Sequence, residues 1–201
     1  MSNLNLIDKC RLIPVVVINK IEDTIPTLKA LCDGGLPIAE ITYRTECAKD
    51  AITLAVKEFP KMLIGAGTVI NGKQAEEAIE LGVKFIVSPG FSEDVAQVCL
   101  ENEMAYFPGC VTPTEIMLAL SYGYKVIKFF PASVYGGLKA MKALSAPFPQ
   151  VKFIPTGGVD ESNLAEYLAW DKVKAVGGSF MMKGDIKEKT ENAMEIVNGN
   201  K

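Results

Sequence analysis

The amino-acid sequence predicts an α/β fold, a compact (β/α)8 TIM barrel in which residues 1–201 form one domain with a short helix ahead of the first strand. Three observations predict it. Eight short apolar runs recur along the chain, amphipathic stretches separate them, and the runs are apolar nearly throughout rather than alternating. Alternation of β and α segments implies right-handed parallel crossovers. Near-continuous apolar strands imply burial on both faces, as in parallel sheets. Eight such units close into a barrel with a packed interior, whose chemistry sits at the C-terminal strand ends.

The runs occupy 13–18, 38–44, 63–69, 84–89, 104–109, 125–131, 152–158 and 173–179. After the first comes Val15-Val16-Val17-Ile18-Asn19-Lys20. An open doubly wound sheet, the structural alternative, would carry G-x-G-x-x-G there. The second run leads into Ala48, Ala51, Ile52, Ala55, Val56 and Phe59, the spacing of a one-sided helix. After the fifth, Thr112-Pro113-Thr114-Glu115 offers an N-cap, a proline at the first helical position and a capping-box glutamate. The sixth run contains a lysine, and the seventh and eighth end on glycine pairs. No linker, low-complexity segment or sequence repeat interrupts the series.

Bulk properties narrow the function classes. Hydrophobic residues make up 49% and charged residues 22%, the balance of a globular chain. Net charge is −3, from 21 basic and 24 acidic residues, with no basic stripe, which argues against nucleic acid and anionic membrane as partners. The first ten residues lack the basic-then-apolar order of a secretory signal, and the run 13–18 is too short to span a bilayer. Five scattered cysteines without a CxxC fit reduced thiols in a cytoplasmic protein. There is no histidine, which removes Ser-His-Asp and Cys-His systems and most zinc sites. No acidic cluster falls at the C-terminal strand ends, so neither metal nor cofactor is expected.

Lys128 stands in Val126-Ile127-Lys128-Phe129-Phe130-Pro131, with two apolar neighbours on each side. Period-2 alternation puts it on one face with Val126 and Phe130, facing either the interior or the helix layer. Both are dry, desolvation disfavours an ammonium, and a neutral amine is what attack on a carbonyl requires. The competing reading is a strand lysine that snorkels to water, as expected of Lys84 and Lys152 at the starts of their runs.

In Ile38-Ala39-Glu40-Ile41-Thr42-Tyr43-Arg44, one face carries Glu40, Thr42 and Arg44. A polar ladder in an apolar unit is costly unless its members are paired or used. Glu40 and Arg44 could form a structural pair, or Glu40 could act as general base and Arg44 as a fork for a carboxylate. The turns Pro155-Thr156-Gly157-Gly158-Val159-Asp160 and Gly177-Gly178-Ser179 can bring backbone N–H groups to an anion, with a following helix N-terminus adding partial charge. Barrels often hold phosphate at this pair of loops.

Together these residues resemble the 2-keto-3-deoxy-6-phosphogluconate aldolase family, also called 4-hydroxy-2-oxoglutarate aldolase. The resemblance runs from Ile13 to about Gly184. It is carried by Glu40-Ile41-Thr42-Tyr43-Arg44-Thr45-Glu46, Gly65-Ala66-Gly67-Thr68-Val69, Ser88-Pro89-Gly90, Phe107-Pro108-Gly109, Lys128-Phe129-Phe130-Pro131-Ala132, Pro155-Thr156-Gly157-Gly158 and Gly177-Gly178-Ser179. It implies Lys128 as the Schiff-base lysine and Glu40 as general acid/base. It further implies that Arg44 and Thr68 hold the keto-acid carboxylate and that Pro89 and Phe130 line the pyruvate end. Thr156, Gly157, Gly158, Gly178 and Ser179 match the phosphate cradle. The resemblance also implies 2-keto acid and aldehyde substrates, no cofactor, a homotrimer and carbohydrate metabolism of the Entner-Doudoroff type. Val17 stands where a galactonate-type branch tends to carry arginine, which points to the gluconate-type branch. Cys110 follows Phe107-Pro108-Gly109 where members vary and receives no role. Two other readings share parts of the pattern: a phosphosugar isomerase would need the glycine loops but not Lys128, and a silent phosphosugar-binding barrel would need neither Lys128 nor Glu40 with Arg44.

Overall fold

Strands and helices alternate in the order that the periodicity predicts, in a computed structural model that describes residues 5–200. Helix α1 (Asn5–Cys10) precedes β1 (Leu12–Val16), and α2 (Thr24–Asp33) follows it. The next units are β2 (Ile38–Thr42) with α3 (Ala48–Glu58), β3 (Leu63–Gly67) with α4 (Gly72–Glu80), and β4 (Phe85–Val87) with α5 (Glu93–Glu101). Then come β5 (Ala105–Phe107) with α6 (Pro113–Ser121), β6 (Val126–Phe129) with α7 (Gly137–Ser145), and β7 (Lys152–Pro155) with α8 (Leu164–Leu168). The last strand, β8 (Val176–Gly178), leads through a 3-10 turn (Phe180–Met182) into α9 (Ile186–Gly199).

All strand pairings are parallel. Six strands pair in the order β5-β4-β3-β2-β1-β8, and β6 pairs with β7. Two seams close the ring. Gly109 bridges to Lys128 between β5 and β6, and Phe153 to Val173 and Thr156 to Gly177 between β7 and β8. At the first seam the Lys128 amide donates to Pro108 O at 2.8 Å, and the Cys110 amide donates to Lys128 O at 2.9 Å.

The strands are shorter than the apolar runs, because the last residues of each run leave the ladder. Run 38–44 yields a strand ending at Thr42, and run 84–89 one ending at Val87. Those departing residues form the mouth of the barrel, and several keep a bond to the neighbouring strand, as where the Tyr43 amide donates to Gly67 O at 2.8 Å. The α6 N-terminus matches its signature: Thr112 Oγ1 accepts from the Glu115 amide, and Glu115 Oε2 accepts from the Thr112 amide. A cap of this kind contributes about 1 kcal/mol.

Alternation sorts the side chains into two layers. Ala39, Ile41, Ile64, Ala66, Ile86 and Tyr106 pack outward against buried faces of α2 to α5. Ile13, Ile38, Leu63, Phe85, Phe107 and Ile154 belong to the core that fills the barrel and extends under the later helices. Lys84 and Lys152 are exposed at the starts of their strands, as snorkelling requires. Cys32, Cys47, Cys99 and Cys110 are free thiols. Among the described residues, no helix is long and apolar enough to cross a membrane.

Candidate active site

Lys128 lies on β6 opposite Ile154 of β7, on the face turned into the barrel. It is only 2% exposed, so the snorkelling reading fails. Its Nζ donates to Glu40 Oε1 at 3.3 Å, from a strand 88 residues away, and Glu40 is likewise 2% exposed. The amine also sits 5.2 Å from the centroid of the Phe130 ring. Glu40 reaches this depth because Gly67 on the neighbouring strand has no side chain. A Cβ there would meet Glu40 Oε1 at 2.3 Å and its Cγ at 2.6 Å. A pair buried this far is weak evidence of stabilisation, because lost hydration offsets the attraction, and its presence points to a use other than stability. At 3.3 Å the amine and the carboxyl group stand within reach of direct proton transfer.

The polar ladder of the second run resolves differently from its sequence pattern. Glu40 and Thr42 lie on β2, and Thr42 Oγ1 donates to Val16 O. Arg44 lies beyond the strand, in a turn where its amide donates to Thr42 O at 2.8 Å. The structural Glu40–Arg44 pair is therefore not formed: Glu40 takes Lys128, and Arg44 Nε donates to Thr68 Oγ1 at 3.0 Å. Thr68 holds a positive φ of 58°, unusual for a β-branched residue, and this conformation presents its hydroxyl to Arg44. Arg44 is exposed at the mouth, and its terminal nitrogens are left for a ligand.

Pro89 and Phe130 line one cavity of about 270 Å³, together with Gly109, Cys110, Pro131 and Tyr135. Cys110 is buried, and burial, reinforced by Glu115, pushes its thiol up to about 12. It is a poor nucleophile at neutral pH.

The glycine loops supply donors but no long helix. Gly157 and Gly158 hold φ of 89° and 77°. The amides of Gly157, Gly158 and Ser179 find no acceptor among the described residues. The expected helix N-terminus is absent at both loops. Residues 160–163 form a turn in which Asp160 Oδ1 accepts from the Ser162 amide and Asn163 Nδ2 donates to Gly158 O. Helix α8 begins only at Leu164 and spans five residues, and a 3-10 turn follows Ser179. Gly178 lies in the wall of the barrel beside the Phe180 ring. Thr156 is 5% exposed and faces inward, its Oγ1 donating to Ile154 O at 3.4 Å and abutting Gly177.

The structure thus brings Lys128, Glu40 and Phe130 together at the base, and Arg44 with Thr68 at the rim. Two positions escaped the sequence reading. Gly67 makes room for Glu40, and glycines at period 2 in the buried strand Gly65-Ala66-Gly67 are the signal that could have found it. Ser133 lies beside Gly158, which no local pattern announces.

The comparisons agree with one another. The model of the aldolase family described as "KDPG and KHG aldolase" matches residues 4–197. The KHG/KDPG aldolase of Escherichia coli K12 is 43% identical over 195 residues, covering 94% of this chain and 92% of that one. The 2-keto-3-deoxy-6-phosphogluconate aldolase of Zymomonas mobilis ZM4, solved with 3-phosphoglycerate, superposes with a TM-score of 0.91 at 37% identity, covering 96% of this chain and 94% of that one. The KDPG aldolase of Legionella pneumophila, solved with pyruvate captured as a covalent carbinolamine, gives 0.87 at 37% identity, with 96% and 95% covered.

Proposed function

The chain belongs to the KDPG and KHG aldolase family, and from that premise we propose the part each residue plays in its reaction. The protein is a lyase, a class I aldolase working through a Schiff base without a metal. It cleaves 2-keto-3-deoxy-6-phosphogluconate to pyruvate and glyceraldehyde 3-phosphate, and 4-hydroxy-2-oxoglutarate to pyruvate and glyoxylate. The observation that carries the assignment of roles is the buried Lys128–Glu40 pair at 3.3 Å.

Lys128 passes a proton to Glu40, and the neutral amine attacks the C2 carbonyl. Glu40 returns the proton to the carbinolamine hydroxyl, which leaves as water. The resulting iminium is the electron sink. Glu40, again a carboxylate, takes the C4 hydroxyl proton, the C3–C4 bond breaks, and the aldehyde departs. Glu40 then protonates C3 of the enamine, and water hydrolyses the iminium to release pyruvate and restore the Lys128 ammonium beside the Glu40 carboxylate. Arg44, held by Thr68, grips the substrate carboxylate so that C2 faces Nζ, an orientation effect potentially worth many orders of magnitude. Phe130, whose ring centroid lies 5.2 Å from Nζ, walls off the pyruvate end, with Pro89 beside it as the family resemblance implies.

At the far end of the substrate, Gly157, Gly158 and Ser179 take the phosphate with their open amides. Gly178 brings the backbone close, and Thr156 shapes the inner wall. The exposed Val17, just past the end of β1, favours the gluconate-type substrate. Family resemblance supports a single barrel domain acting as a cytoplasmic homotrimer in an Entner-Doudoroff type of sugar breakdown.

Borohydride with pyruvate should leave a covalent adduct on Lys128, with EDTA present or absent. A normal adduct yield from Lys128→Ala ends the assignment.

A further inference from the structure

We propose that Ser133, in the loop after β6, donates its hydroxyl to the phosphate of the substrate and sets the preference for phosphorylated 2-keto acids. The proposal rests on the reading of the glycine loops as the phosphate end.

The backbone fixes where this serine stands. Beyond the end of β6 the pairing with β7 continues. The Ala132 amide donates to Thr156 O at 2.8 Å, and the Ser133 amide donates to Gly157 O at 3.1 Å. This lays the Ser133 side chain directly against Gly158. A Cβ on Gly158 would come within 2.1 Å of Ser133 Oγ and 2.3 Å of its Cβ. Gly158 combines a φ of +77° with an amide that no acceptor satisfies, and the serine hydroxyl packs against the Cα of this same residue.

The hydroxyl itself is uncommitted. Ser133 is exposed, and its Oγ has no hydrogen-bond partner among the described residues. With the amides of Gly157, Gly158 and Ser179 and the Ser179 hydroxyl, it makes a set of neutral donors from three loops. A phosphate has oxygens enough for all of them, whereas the carboxylate of 4-hydroxy-2-oxoglutarate's shorter tail has fewer and does not extend as far. The nearby Asp160 does not oppose an anion directly, because its Oδ1 is occupied by the Ser162 amide at 2.9 Å and the Ser162 hydroxyl at 2.5 Å. Hydrogen bonds to a charged oxygen are stronger than neutral ones. A single hydroxyl is therefore enough to separate two substrates.

The test is steady-state kinetics on both substrates for the wild type, Ser133→Ala, Ser133→Thr and Ser179→Ala. Ser133→Ala should raise KM for the phosphorylated substrate about tenfold, with little change in either parameter for 4-hydroxy-2-oxoglutarate. Ser133→Thr, which keeps a hydroxyl, should restore most of the loss. If Ser179→Ala selectively weakens the phosphorylated substrate while Ser133→Ala affects both substrates alike or neither, the glycine-loop reading stands and the role of Ser133 is overturned. If neither variant tells the two substrates apart, the role of Ser133 is overturned; the phosphate reading is judged separately by the wild type, and equal kcat/KM for the two substrates ends it.

Discussion

In the proposed reaction the two ends of the substrate meet two different kinds of wall. At the keto-acid end, side chains on β2 and β6 face each other inside the barrel, sealed from water, with one distance of 3.3 Å deciding whether a proton can move. At the other end, three exposed loops offer amides and hydroxyls that could shift by some tenths of an ångström and still bind. The difference teaches where rigidity is spent. On the proposed roles, bond breaking is placed on regular strands, anchored by ladders on both sides, while recognition of a charged tail is left to loop backbone. Damage to the first wall should therefore appear in kcat, and damage to the second in KM.

The largest expected effect tests that division at its base. Lys128→Met should lower kcat by roughly 10⁴-fold or more and destabilise the fold by about 3–5 kcal/mol, since Glu40 is left buried and alone. Combining it with Glu40→Leu should recover much of that stability in a urea titration while activity stays absent. If the double variant is the less stable of the two, the pair is structural and the comparison collapses. Next in size is Gly67→Ala, which touches no substrate. Its Cβ would displace the Glu40 carboxylate, so kcat should fall about 100-fold with KM nearly constant. A loss confined to KM would place Glu40 outside the proton path. Smaller again is Arg44→Ala at the rim. Its kcat/KM for both substrates should fall at least tenfold, through loss of orientation and of a charge-assisted contact. Arg44→Lys should not repair it, because a single ammonium cannot reproduce the fork that leaves Nε on Thr68. Full rescue by lysine would mean that only charge, and not orientation, is used there.

Much of this was legible before any coordinates. The α6 capping box, the order of eight β/α units and the oddity of a lysine amid aromatic residues all follow from local pattern, because propensity, capping and burial leave traces within a few residues. Features that depend on register between strands left none. Glu40 meets Lys128 across the barrel and Gly67 across a ladder, and no spacing along the chain encodes either encounter. The bend that takes Arg44 off β2 and onto Thr68 was hidden for the same reason. The helix dipole expected behind the glycine loops failed on a local matter. Asp160 and Asn163 bond back into their own turn and delay α8 until Leu164, as short polar side chains do.

The seam between β5 and β6 has a consequence of its own. The residue that rivets it is Lys128, whose N–H and C=O hold the fifth and sixth strands together while its amine faces Glu40 inside the barrel. Reactivity and closure are thus welded into one residue. On the role proposed for Lys128, opening this seam displaces the nucleophile as well.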